Sequence, residues 1–111
     1  MKHVVRPRAE DDILRQFRYY LLQDGALDVA TRFLNAVDTS IASICKMPHM
    51  GAVKRLRNPA LSGRRFSPVD GFEDILIFYL VQRDTLRVVR VLHGSRDVNN
   101  ILKRETSHPP N

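Results

Sequence analysis

His93, Arg96 and Asp97 stand within five residues of one another, in the run Leu92-His93-Gly94-Ser95-Arg96-Asp97. An imidazole exchanges a proton near neutral pH, and a guanidinium neutralises a phosphate. Arg65 falls on a different predicted strand and could approach the other two across a sheet. Arg65, His93 and Arg96 are thus the set this chain offers for acid–base work on a phosphodiester. The same residues have a plainer role. An imidazole at a strand end can order the turn that follows, and Arg96–Asp97 can form a local ion pair at a helix start. Arg64, Arg65, Arg90, His93 and Arg96 are the candidates for contact with a macromolecular target. Arg87 and Arg90 alternate faces on one strand, so at most one enters the core. That one needs a carboxylate, expected from Asp74 or Glu73 on the neighbouring strand. His3, His49 and His108 are scattered, and the single cysteine, Cys45, cannot build a cysteine-rich zinc site. No metal, cofactor or glycine-rich phosphate loop is expected.

These groups depend on the elements that carry them. His3 to Arg6 is a short strand candidate. Pro7 suits the first turn of a helix, and Glu10, Asp11 and Asp12 complement its dipole. Ile13, Leu14, Phe17, Tyr20 and Leu21 make one apolar face, and Gly25 is a C-terminal stop. A second helix is expected from about Leu27 to Met47, with Val29, Ala30, Phe33, Leu34, Val37, Ile41, Ile44 and Cys45 on its stripe. Cys45 therefore reads as a structural thiol. The short link makes the two helices an antiparallel hairpin. Pro48 ends the second helix and opens a loop over 48–63, with a turn of helix as the expectation for Ala52 to Leu56. Arg64 to Val69 is a strand, with Pro68 marking an edge or a bulge. Asp70-Gly71 signals a turn. Phe72 to Gln82 is the next strand, Arg83-Asp84-Thr85 a turn, and Leu86 to His93 the last strand. A final helix runs through Leu102, and the tail over 104–111 is expected to fray.

The order is β-α-α-β-β-β-α, an α+β fold in which a twisted antiparallel sheet packs against an N-terminal helical hairpin. The strand Phe72–Gln82 is nearly continuous in apolar residues from Ile75 to Val81 and has no basic side chain. A half-solvated strand would alternate. Its second face must therefore be covered, or else await a partner.

The 111 residues suit one domain. No apolar run reaches the roughly 20 residues that span a bilayer, and the N-terminus lacks a signal-peptide core, so a soluble, cytoplasmic protein without membrane contact is expected. The net charge of +6 is uneven: residues 51–111 carry eleven Lys/Arg against six Asp/Glu. Between Gly51 and Val69 stand Lys54, Arg55, Arg57, Arg64 and Arg65 with no acid. Such a run suits a polyanion or an acidic protein partner.

Three stretches carry a family resemblance: Arg65-Phe66-Ser67-Pro68-Val69, Gly71-Phe72-Glu73-Asp74-Ile75-Leu76-Ile77-Phe78-Tyr79, and Val88-Val89-Arg90-Val91-Leu92-His93-Gly94-Ser95-Arg96-Asp97. Pro48-His49-Met50-Gly51 adds to them. Together they resemble the ParE branch of the RelE/ParE toxin superfamily over nearly the whole chain, with one toxin domain over 1–103. The resemblance implies the toxin of a type II toxin–antitoxin, plasmid-stabilisation module. It implies inhibition of DNA gyrase and neutralisation by a ParD-like antitoxin. Phe66, Ile75, Ile77 and Tyr79, with Lys54, Arg55 and Arg57, are the expected antitoxin contacts, since an acidic amphipathic segment would use both apolar strip and basic run. The alternative is a RelE-type endoribonuclease acting on mRNA at the ribosome, in which Arg65, His93 and Arg96 would be catalytic. A third is an inactive member acting only with its antitoxin as a repressor. Against ribonuclease chemistry, Leu76 stands where such enzymes place a strand arginine, and the last helix has no tyrosine.

Overall fold

The computed structural model describes residues 1–24, 27–54 and 64–97. In chain order they form β1 (Lys2–Val5), α1 (Pro7–Asp24), α2 (Leu27–Lys46), β2 (Ala52–Lys54), β3 (Arg64–Val69), β4 (Phe72–Gln82) and β5 (Thr85–His93). One five-stranded sheet has the order β1-β5-β4-β3-β2.

Helices and sheet meet through the periodicities that define them. Phe33, Val37, Ile41 and Ile44 line one stripe of α2, and Ala9 and Ile13 one stripe of α1. They pack on Ile75, Ile77 and Tyr79 of β4 and on Leu86, Val88 and Val91 of β5. Burying each large side chain of this set contributes about 1.5–3 kcal/mol. Tyr20, Phe33 and Phe72 close one end of the interface, with ring centroids 5.2–5.4 Å apart. Ser40 Oγ accepts from the Asp70 N–H at 2.9 Å, which ties the β3–β4 turn to α2.

The α+β class, the helical hairpin and the β3–β4–β5 antiparallel meander agree with the sequence reading. Pro68 does mark a bulge, as the β3–β4 register shifts between Pro68 and Val69. The Asp70-Gly71 turn is there, and Gly71 has φ 79°, a backbone that favours glycine. Four points differ. The sheet is mixed, because β1 runs parallel to β5. Ala52–Lys54 is a strand paired with β3, where a helical turn was expected. Thr85 belongs to β5, which leaves Arg83 and Asp84 as a two-residue loop, with Arg83 at φ 57°. Arg96 and Asp97 begin a helical turn, while the rest of the expected final helix, the domain end at 103, the tail over 104–111 and Gly25 lie outside the described residues.

The apolar run of β4 is divided between two faces. Ile75, Ile77 and Tyr79 meet the helices, while Leu76 and Phe78 join Phe66 and Leu92 in a second cluster. Phe78 and Leu92 are fully buried there. At these two positions the second face is shielded from solvent, while toward Gln82 and Thr85 it is partly exposed.

Candidate functional site

β1 accompanies β5 only to Val88, where the Arg6 N–H closes the ladder on the Val88 carbonyl. Beyond that point no described strand flanks β5 on this side, and its edge-facing N–H groups need other acceptors. Two carboxylates supply them. Asp12 Oδ2, from α1, accepts from the Val91 N–H at 3.0 Å. Asp97 Oδ2 accepts from the His93 N–H at 2.8 Å.

Cations then close around the carboxylates. Arg90 grips the buried Asp12 with two hydrogen bonds, Nε to Oδ2 at 2.8 Å and Nη2 to Oδ1 at 3.1 Å. Arg15 bridges both acids, 3.3 Å from Asp12 and 3.4 Å from Asp97. Gln16 donates to Asp97 at 3.0 Å and accepts from Arg96 at 3.1 Å. The Arg96 guanidinium lies 5.0 Å from the centre of the Tyr19 ring. His93 Nδ1 accepts from the Arg96 N–H at 3.1 Å and faces Ser95 Oγ at 3.3 Å. That acceptor role puts the proton of the neutral ring on Nε2. Partial burial opposes charge on Asp97. The His93 N–H, then Arg15 and Arg96, outweigh it and hold its carboxyl below the ordinary carboxylate range.

A second network lies at the other end of β4. Tyr79 Oη donates to the Pro48 carbonyl at 2.8 Å and accepts from the Gly51 N–H at 3.1 Å. Arg65 Nη1 donates to the carbonyls of His49 at 3.0 Å and Gly51 at 2.8 Å. A Cβ on Gly51 would collide with the Tyr79 hydroxyl and stand 2.9 Å from the Phe66 carbonyl oxygen. The Pro48–Gly51 stretch is thus moulded around one phenol and one guanidinium. Burial raises the Tyr79 pKa despite the Gly51 N–H and the nearby Arg65 charge, so the phenol keeps its proton at neutral pH.

A family model described as the ParE toxin of the type II toxin–antitoxin system parDE matches residues 4–98. This chain belongs to the ParE toxin family. The helical hairpin, the meander, the His93–Asp97 segment and the second half of β1 fall within the matched span. A solved structure titled as a chromosomal ParDE TA system from P. aeruginosa matches with a TM-score of 0.67. The identity is 14%, and the match covers 84% of this chain and 95% of that one, so the likeness is one of fold. No curated protein matches the sequence.

In this ParE chain the expected site residues are dispersed. His93 and Arg96 are neighbours, but Arg65 does not join them. Arg65 pairs with Tyr79, whereas His93 pairs with Ile75, four residues back along β4 and one strand beyond. Strand geometry separates them by about 16 Å. Arg90 does find a carboxylate, but it is Asp12 of α1 rather than Asp74 or Glu73. Ile75, Ile77 and Tyr79 are 1%, 0% and 0% exposed, so as antitoxin contacts they are corrected: the helical hairpin already occupies them. Phe66 remains half-buried in the second cluster. Arg64 is half-buried, and its Nε is buried without a hydrogen-bond partner. Lys54 lies on β2 by its backbone, while Arg55 and Arg57 lie outside the described residues. Asp12, Arg15, Gln16 and Tyr19 are the site residues the sequence reading passed over. Asp12 does follow Asp11 in the first turns of a helix, a position that reads as dipole compensation. Among the described residues no three His, Cys, Asp or Glu side chains cluster as metal ligands, and no helix is long and apolar enough to cross a membrane.

Proposed function

We propose that this ParE-family toxin works by binding, that its target is DNA gyrase engaged on DNA, and that a ParD-like antitoxin neutralises it. One observation carries the reading. The three groups that phosphodiester cleavage would need are each committed elsewhere: Arg65 to the carbonyls of His49 and Gly51, His93 Nδ1 to the Arg96 N–H, and Arg96 to Gln16, Asp97 and the Tyr19 ring. β4 adds no basic side chain between Phe72 and Gln82. Binding without bond cleavage needs surface complementarity only, and the exposed face of the His93–Asp97 turn, with Arg96, offers it to the target.

The antitoxin would meet the chain around β2. Met47, Met50 and Val53 are each more than half exposed there, beside the basic run that includes Lys54, Arg55 and Arg57. Apolar anchors next in sequence to a basic run suit an acidic amphipathic segment. Both proposed partners work in the cytoplasm, which would be the toxin's compartment. Induction of the toxin alone, followed by plasmid topology and transcript integrity, tests the reading. Loss of negative supercoiling with intact transcripts is expected. Cut transcripts with normal supercoiling would put the RelE-type endoribonuclease in its place.

A further inference from the structure

The face of the sheet turned away from the helices carries a set of cations that neither network uses. Leu80 lies on this face, since its neighbours Tyr79 and Val81 pack into the helix-side core. Arg87 is its partner across β5. Arg64 precedes Arg65, the partner of Tyr79, and so falls beside Leu80 on the other flank. One row therefore reads Arg64, Leu80, Arg87 and the exposed Val4. The next row reads Gln82, Thr85 and Lys2, through the pairs Gln82–Thr85 and Lys2–Thr85. No described residue in these two rows is acidic; Asp84 sits in the turn beyond them.

What these rows offer a ligand is positive charge without a neighbouring carboxylate, which suits a polyanion. Arg83 holds φ 57°, the left-handed backbone that the two-residue Arg83–Asp84 hairpin loop calls for. It lines an open concavity of about 640 Å³ together with Gln82, Asp84, Thr85 and Arg87. Arg87 Nε donates to Gln82 Oε1 at 3.0 Å, which steadies the guanidinium at the rim.

We infer that this end of the outer sheet face is a contact surface for the phosphate backbone of duplex DNA. The cations span the sheet from β1 to β3, about 14 Å at ordinary strand spacing, enough to touch several phosphates. Thr85 and Gln82 lie between them as neutral donors of the kind that accompany Arg and Lys on phosphates. An acidic peptide would want an apolar anchor pocket at the centre of the patch, and Leu80 and Val4, separated by Arg87, do not make one. The surface takes backbone, not sequence, because no element projects here into a groove. This deepens the gyrase reading, in which the toxin meets its target on DNA, but it is tested without gyrase.

Fluorescence anisotropy of the full-length chain with a mixed-sequence duplex, over a salt series, measures the contact directly. The plot of log affinity against log salt should have a slope of about −3 to −4, near −0.9 for each phosphate neutralised. Arg64→Gln, Arg83→Gln and Arg87→Gln should each flatten it by about one unit, with melting curves confirming that each variant folds. Arg32→Gln, an exposed position on α2, should leave the slope unchanged. Two results would overturn the inference. One is a triple variant with the wild-type slope. The other is a polyglutamate peptide that binds more tightly than the duplex and depends on the same three arginines, which would make the surface a protein interface. Gyrase inhibition that survives loss of this DNA binding would leave the gyrase reading standing and remove only the surface from it.

Discussion

Tyr79 shows how one polar atom can give a short motif its meaning. Its ring is buried among the helix-side core, yet its hydroxyl serves both the Pro48 carbonyl and the Gly51 N–H. Tyr79→Phe keeps the ring and removes only those bonds, leaving the Gly51 N–H buried without an acceptor. A loss of about 1–3 kcal/mol in urea unfolding is expected. Gly51→Ala should cost at least as much, because the new methyl must displace the same hydroxyl or the Phe66 backbone. If Tyr79→Phe unfolds within a few tenths of a kcal/mol of the parent, the phenol is not what shapes the stretch. Pro48-His49-Met50-Gly51 was visible in the sequence as a motif, but its cause was not. The residue that requires a glycine at 51 lies 28 positions away, on a strand whose apolar run hides its hydroxyl. Arg65 was misread for a related reason. A strand-edge guanidinium looks the same in sequence whether it faces a phosphate or a peptide carbonyl.

β5 raises a problem that belongs to elements rather than residues: it is longer than the strand that flanks it. β1 pairs with four of its nine residues, and the exposed remainder is a template for another chain. Asp12 and Asp97 occupy that edge, and Arg90 and Arg15 neutralise them. Asp12→Ala would strand Arg90, whose side chain is 14% exposed, and leave the Val91 N–H unpaired. Removing one member of such a pair costs about 3–5 kcal/mol, a large share of the 5–15 kcal/mol that typical domains possess. Asp12→Asn should cost less, since the amide oxygen can still accept from Val91. A thermal melt that finds the two variants equal would mean that the edge bond contributes nothing. The helices and the meander were legible because each is a long run with a strong period. The parallel β1 was not, since four residues carry no signal of direction. β2 was not, since three residues inside a stretch rich in Pro and Gly look like loop. Asp12 was legible as a helix-start acid, but its partners are 78 and 79 positions downstream, and only the fold brings them together.

For the molecule as a whole, Asp97 joins the two ends of the described chain. It receives hydrogen bonds or charge from Arg15 and Gln16 of α1, and from His93 and Arg96 of its own segment. Its carboxyl is held below the ordinary range, and this links protonation to folding. The unfolded chain takes up the proton near pH 4, whereas the folded chain resists it to lower pH. Asp97 therefore contributes its full share of stability above the unfolded value. That share shrinks as pH falls from about 4 through the lower folded value, and it vanishes once both states are protonated. Acidification also raises the net charge above +6, so the wild-type curve alone mixes more than one contribution. The difference between wild type and Asp97→Asn isolates the one of interest. Melting temperatures measured between about pH 2.5 and 7 should show wild type ahead by a constant margin above about pH 5. The margin should narrow on acidification and be smallest at the acid end. A margin independent of pH would assign the contribution of Asp97 to shape and neutral hydrogen bonding. One that widened on acidification would contradict the ion network that joins α1 to the end of β5.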